Sequence, residues 1–212
     1  MTTPPIEPAL ARARVIPVLV LDEPEEAMHL ARALVAGGLP AIEVTLRTPR
    51  ALACAEAIAA RVPGAVVGLG TLTRPEQFAE ARDAGARFVV SPGLTDRLAG
   101  AAIAAGLPYL PGTATVTEAM VALEHGFREL KFFPASLSGG APALKGMAPL
   151  LPEARFCPTG GVRAETLGEY LALPNVFAVG GTWLAPAEAV AARRWDEVER
   201  LAREAVAAAG RA

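Results

Sequence analysis

Apolar runs of strand length alternate with stretches of helical spacing along the whole chain. Val15-Ile16-Pro17-Val18-Leu19-Val20 is a nearly continuous β-branched run, and the segment after it reads as a helix with Asp22 as N-cap, Pro24 in the first turn and Gly37-Gly38 past the end. The unit then recurs: strand 40–46 with a helix from Thr48-Pro49 through 60, strand 65–69 with helix 75–84, strand 87–90 with helix 95–105, and strand 108–110 with helix 116–125. It continues through strand 129–133 with helix 141–150, strand 155–158 with helix 164–171, and strand 176–179 with one long helix over 186–208. Strict alternation of helices with strands apolar on both faces predicts a parallel sheet covered by helices. Eight such units predict an α/β fold of one closed (β/α)8 TIM barrel, a single domain over residues 1–212 with the proline-rich residues 1–14 as a flexible N-terminal segment. Gly68-Leu69-Gly70 lacks the third glycine of a dinucleotide fingerprint and reads as close packing at a strand end.

In such a barrel the chemistry lies at the C-terminal ends of the strands. Those ends are Glu43-Val44-Thr45-Leu46-Arg47, Gly70-Thr71, Ser91-Pro92-Gly93, Pro111-Gly112-Thr113, Lys131-Phe132-Phe133-Pro134, Thr159-Gly160-Gly161 and Gly180-Gly181-Thr182. The ionisable groups among them are Glu43, Arg47 and Lys131. Side chains alternate along a strand, so Glu43 and Arg47 share a face and can meet Lys131 at one mouth. The chain has two lysines against eighteen arginines, so where charge alone is wanted it uses arginine. Burial among aromatic neighbours disfavours an ammonium, and the free amine is the form that attacks a carbonyl carbon to give a Schiff base. The plainer alternatives are a strand-end lysine whose ammonium reaches water and an internal Glu43–Lys131 ion pair. Gly160-Gly161 and Gly180-Gly181 follow the seventh and eighth strands, where barrels hold phosphate on loop amides; Thr182 adds a hydroxyl. Tight strand-to-helix turns also use glycine, so each pair alone carries little.

Composition narrows the classes. Of the 212 residues 52% are hydrophobic and 20% charged, enough to bury a large core. A formal net charge of −2 and scattered arginines offer no nucleic-acid footprint. No segment approaches the ~20 apolar residues of a membrane span, the start lacks a signal-peptide pattern, and the expected location is the cytoplasm. Cys54 and Cys157 fit no metal spacing, His29 and His125 fall on helices away from the strand ends, and neither metal nor other cofactor is expected.

Ile16-Pro17-Val18, Glu43-Val44-Thr45-Leu46-Arg47-Thr48, Ser91-Pro92-Gly93, Leu130-Lys131-Phe132-Phe133-Pro134-Ala135 and Phe156-Cys157-Pro158-Thr159-Gly160-Gly161-Val162 occur in this order. Together they resemble the bacterial 2-keto-3-deoxy-6-phosphogluconate (KDPG) and 4-hydroxy-2-oxoglutarate (KHG) aldolases, over residues 15–206. The resemblance implies a class I aldolase of the Entner–Doudoroff pathway, a homotrimer, cleaving KDPG to pyruvate and glyceraldehyde 3-phosphate without a cofactor. It makes Lys131 the Schiff-base lysine, Glu43 the general acid/base, and Arg47 with Thr71 the clamp on the substrate carboxylate. Pro92 and Phe133 become pocket positions, and Gly160, Gly161 and Thr182 the phosphate end; by their places at the same strand ends Thr159 joins the pocket and Gly180 and Gly181 the phosphate site. Two positions depart from the family pattern: Thr182 stands where serine is common, and Ser136 where an acidic residue is frequent. A sister aldolase for the galactonate analogue would share Lys131 and Glu43. A non-catalytic phosphate-binding barrel would keep the glycines with no need of either.

Overall fold

The computed structural model describes residues 14–210, with Pro4 and Leu10. The expectation of a flexible start falls largely outside these residues; within that segment Leu10 is buried, and Arg14 donates to Ala209 O at 3.2 Å and Leu171 O at 2.8 Å.

The elements run β1 (Val15–Leu19), α1 (Pro24–Ala36), β2 (Ala41–Thr45), α2 (Ala51–Arg61), β3 (Val66–Gly70), α3 (Glu76–Asp83), β4 (Phe88–Val90) and α4 (Asp96–Ala105). They continue with β5 (Tyr109–Leu110), β6 (Gly112–Thr113), α5 (Val116–Glu124), β7 (Glu129–Phe132), α6 (Gly140–Met147) and β8 (Arg155–Pro158). A 3-10 turn at Ala164–Thr166 leads into α7 (Leu167–Leu171), followed by β9 (Val179–Gly181), α8 (Ala187–Ala191) and α9 (Trp195–Ala209). All pairings between strands are parallel, in a six-stranded sheet ordered β5-β4-β3-β2-β1-β9 and a three-stranded sheet ordered β6-β7-β8. The sheets meet at Pro111, between β5 and β6, whose missing N–H interrupts the ladder while its carbonyl accepts from Lys131 N at 2.8 Å. Isolated bridges Phe156↔Val176 and Thr159↔Gly180 link β8 to the chain around β9.

Alternate strand residues enter two separate apolar clusters. Val15, Ile42, Val44, Val89, Leu130, Phe132 and Phe156 pack with the helices, whereas Ile16, Ala41, Phe88, Val90, Leu110 and Cys157 pack with one another on the face turned away from them, joined by Leu10. By the same two-residue period Glu43 and Thr45 follow Ala41, and Lys131 alternates with Leu130 and Phe132. The charged pair therefore stands on the inner face, above an apolar floor.

Four local expectations change. Asp22 does not cap α1: its carboxylate accepts from Arg50 N at 3.1 Å, and the N-cap is Glu23 without a side-chain bond. The single strand 108–110 is two short strands around Pro111, and the last strand begins at Val179 instead of 176. The long helix over 186–208 is two helices, because Arg193 takes a left-handed φ of 54° and ends α8 with Arg194 N bonded to Ala189 O at 2.8 Å. After the break, α9 buries Val198, Ala202, Ala205 and Ala209 at helical spacing and lies so close to the end of α1 that a Cβ on Gly37 would sit 2.4 Å from the Ala202 methyl. At α5, Thr115 and Glu118 form a reciprocal capping box. Among the described residues no helix is long and apolar enough to cross a membrane.

Candidate active site

Glu43 from β2 and Lys131 from β7 reach each other across the inner face. Lys131 Nζ donates to Glu43 Oε1 at 3.0 Å and lies 3.4 Å from Oε2, with side-chain exposures of 7% and 4%. The ammonium form also faces the Phe133 ring, 5.2 Å from its centroid. Two charges this deep recover their desolvation cost only through close mutual contact, so removing either strands the other at several kcal/mol, roughly 3–5. The carboxylate lies against the bare Cα of Gly70, where a Cβ would come within 2.1 Å of Oε1.

A cavity of about 200 Å³ opens over this pair. Of the residues singled out in the sequence, Arg47, Lys131, Phe133, Thr159, Gly160, Gly161, Gly181 and Thr182 line it, and Glu43 reaches it through its bond to Lys131. Arg47 hangs just past β2 on a tight turn, its N–H bonded to Thr45 O at 2.8 Å. Thr71, Pro92 and Gly180 lie outside the lining. Thr71 follows Gly70 with a left-handed φ of 65°, the Pro92 carbonyl presses on Gly112, and Gly180 sits behind the Thr159 side chain. Val18, Val20, Thr45 and Val162 complete the wall and were not singled out from the sequence. Thr45 had a signal, since it shares the parity of Glu43 two residues on; its hydroxyl donates to Leu19 O at 2.8 Å and ties β2 to β1. A larger cavity of about 400 Å³ shares Val18, Val20 and Thr182, but among the described residues Glu26 is its only ionisable group, whereas the smaller cavity holds the Lys131 amine.

The opposite end of the small cavity is backbone. Ala135 N donates to Thr159 O at 2.8 Å and Ser136 N to Gly160 O at 3.0 Å. Across a trans peptide the N–H points opposite its carbonyl, so both bonds turn the Gly160 and Gly161 N–H groups away from the 135–136 segment. Both glycines hold left-handed φ values, 93° and 77°, and a Cβ on Gly161 would lie 2.0 Å from Ser136 Oγ. Backbone amides left free on that side are groups that can meet an anion.

Cys157 is the register partner of Lys131, and burial pushes its thiol up to about 12, against the opposing pull of the lysine charge. It stays a thiol beside the Lys131 amine. Lys145, the other lysine, is exposed on α6.

The family model for KDPG and KHG aldolases matches residues 6–201. The chain is 47% identical to the 2-dehydro-3-deoxy-phosphogluconate aldolase of Dickeya dadantii, covering 96% of this chain and 95% of that one. It is also 47% identical to the KHG/KDPG aldolase of Escherichia coli K12, covering 94% of each. Among solved structures, KDPG aldolase from Legionella pneumophila, holding pyruvate as a covalent carbinolamine intermediate, superposes with a TM-score of 0.89 at 44% identity, covering 92% of this chain and 95% of that one. With its sequence and its fold in agreement, the chain belongs to the KDPG and KHG aldolase family.

Proposed function

We propose that this chain is a Schiff-base aldolase that cleaves KDPG to pyruvate and glyceraldehyde 3-phosphate in the Entner–Doudoroff pathway, with 4-hydroxy-2-oxoglutarate as a second substrate. The observation that carries the reading is the Lys131 amine, held 3.0 Å from Glu43 in a cavity whose far end is glycine backbone. The Legionella relative, with pyruvate bound covalently, supports it.

The chemistry follows from the groups present. Lys131 passes a proton to the Glu43 side and its free amine attacks the C2 ketone; the resulting carbinolamine loses water to give a protonated imine. Glu43, through a water, takes the proton of the C4 hydroxyl. The C3–C4 bond breaks, its electron pair flows into the imine, and the aldehyde leaves behind an enamine. Protonation of C3 and hydrolysis release pyruvate and restore the amine. Arg47 holds the substrate carboxylate by paired hydrogen bonds and so fixes the carbonyl against Nζ; Thr71 is its partner in this reading. Pro92, Phe133 and Thr159 shape the pocket. The phosphate sits at Gly160 and Gly161, with Gly180, Gly181 and Thr182 closing that end. A Zymomonas mobilis relative solved with 3-phosphoglycerate, at 44% identity and a TM-score of 0.88, supports a site for a phosphorylated three-carbon acid in this fold.

The two sheets are read as one closed eight-stranded barrel, supported by the carbonyl of Pro111 bonding across to β7 and the Thr159↔Gly180 bridge. The working form is a homotrimer in the cytoplasm. A galactonate-series aldolase is the weaker reading, because a KDPGal structure matches at 29% identity against 44% for the gluconate relatives from Legionella and Zymomonas. Borohydride reduction with pyruvate tests the core of the proposal: a single adduct on Lys131 is expected, and an adduct on Lys145 or none refutes it.

A further inference from the structure

Gly68 and Gly70 stand two residues apart on β3 and face the same way, and each leaves its side-chain space to a neighbour. At Gly68 that neighbour is the Phe88 ring of the apolar floor; at Gly70 it is the end of Glu43, with Oε1, Cδ and Cγ all within 2.7 Å of where a Cβ would be. The Glu43 carboxylate is thus held between two surfaces, the bare Gly70 Cα on one side and Lys131 Nζ on the other. The backbone at Gly70 is held in place, since Gly70 is on a strand that pairs with β2 through Thr45↔Gly70 and its carbonyl accepts Leu46 N at 2.9 Å.

We propose that Gly70 is a positioning residue for proton transfer: its missing side chain sets where the Glu43 carboxylate rests and leaves it room to move between the amine and the substrate. The inference rests on Glu43 being the proton carrier. A methyl group at position 70 meets the far end of a flexible side chain and not backbone, so the strand is kept and the carboxylate is displaced. Lys131 and the carboxylate clamp at Arg47 keep their own side chains, so imine formation and the proton steps that follow it can be read separately.

The experiment uses the full-length chain with pyruvate as probe and reads two steps. Borohydride trapping reports the imine on Lys131, and incorporation of solvent deuterium into the pyruvate methyl group reports the proton transfer that makes the enamine. In Gly70→Ala, trapping is expected within about threefold of the parent while exchange falls at least ~10-fold, within the range expected when a general base is misplaced. Wild-type exchange, or equal loss of trapping and exchange, overturns the proposal. Glu43→Asp shortens the carboxylate by one methylene and withdraws it from the methyl group. Adding Gly70→Ala to Glu43→Asp should therefore cost less than about threefold, whereas costs that simply multiply mean the two positions act independently and also overturn it. Glu43→Gln measured alongside separates the two levels. Normal exchange in Glu43→Gln removes the proton-carrier reading itself; loss there with none in Gly70→Ala removes only the role of Gly70.

Discussion

The two ends of the cavity are built from different materials. At one end Glu43, Arg47 and Lys131 bring ionisable side chains, Glu43 and Lys131 on strands and Arg47 just beyond one, with the central pair buried on the inner face. At the other end Gly160, Gly161 and Gly181 bring no side chain at all, and the Gly160 and Gly161 amides, the recognising groups in the proposed reading, have their direction set by bonds made behind them. The difference teaches a division of labour. In the proposed mechanism the groups that change covalent bonds or protonation state are side chains on strands, whereas the phosphate, a fixed charge, is met chiefly by peptide backbone. Changes at the first end should abolish turnover; changes at the second should alter only which substrate is preferred.

The harshest break of that division is at Lys131. Lys131→Arg should lose aldol cleavage almost wholly and keep its fold by circular dichroism, because arginine retains the charge opposite Glu43 and cannot form the imine. Next comes Glu43→Gln, expected to lower turnover by ~10²–10⁴-fold while pyruvate is still trapped slowly on Lys131. Parent-like turnover in that variant would leave the carboxylate with a purely structural role.

At the backbone end, Gly161→Val puts a branched side chain where Ser136 Oγ already lies and into a left-handed φ of 77°. The ratio of kcat/KM for KDPG over that for 4-hydroxy-2-oxoglutarate should collapse toward one, with pyruvate labelling of Lys131 intact. An unchanged ratio relocates the phosphate. Thr182→Val removes one neutral donor and should cost the phosphorylated substrate about 1–3 kcal/mol of binding if the phosphate is left short of a bond. A titration of KM for both substrates checks it.

The smallest effect is expected at Cys157, next to Lys131 but outside the chemistry. Burial raises the Cys157 thiol to about 12 and that of Cys54 to about 11, both from an ordinary 9.0. Well below pH 9 both are neutral whether the chain is folded or not, and their ionisation does not bear on stability. As pH rises from 9 toward these values the unfolded chain sheds the protons and the folded one keeps them, so stability falls. A thiol reagent at pH 8 should leave activity unchanged and react fully only after denaturant is added.

How far the sequence revealed all this follows the same division. Strands apolar on both faces were legible from their runs, and Lys131 and Glu43 from being ionisable where little else is. Thr45 was hidden in plain view, because its parity put it on the inner face but its hydroxyl is spent on Leu19 O. The break between α8 and α9 left no trace: Ala191-Ala192-Arg193-Arg194 has neither glycine nor proline, and only packing decides that Arg193 turns left-handed. The interruption at Pro111 was visible as a residue and misjudged as an ending. The backbone end was legible only as pairs of glycines, since amide direction depends on Ala135 and Ser136, far away in sequence.

Arg14, at the start of β1, bonds the carbonyls of Leu171 and Ala209, the second 195 residues further along, and β1 itself pairs with β9. These contacts cannot exist on a ribosome until nearly the whole chain has emerged, which at about 5–20 residues per second takes at least ten seconds or so. Until β9 is made, the outer edge of β1 is an unpaired strand edge, open to any chain that can add to it. The edge made first is closed only by β9, near the far end of the chain, so a nascent chain truncated before β9 is an aggregation hazard even though Lys131, Glu43 and Gly160-Gly161 have already been made.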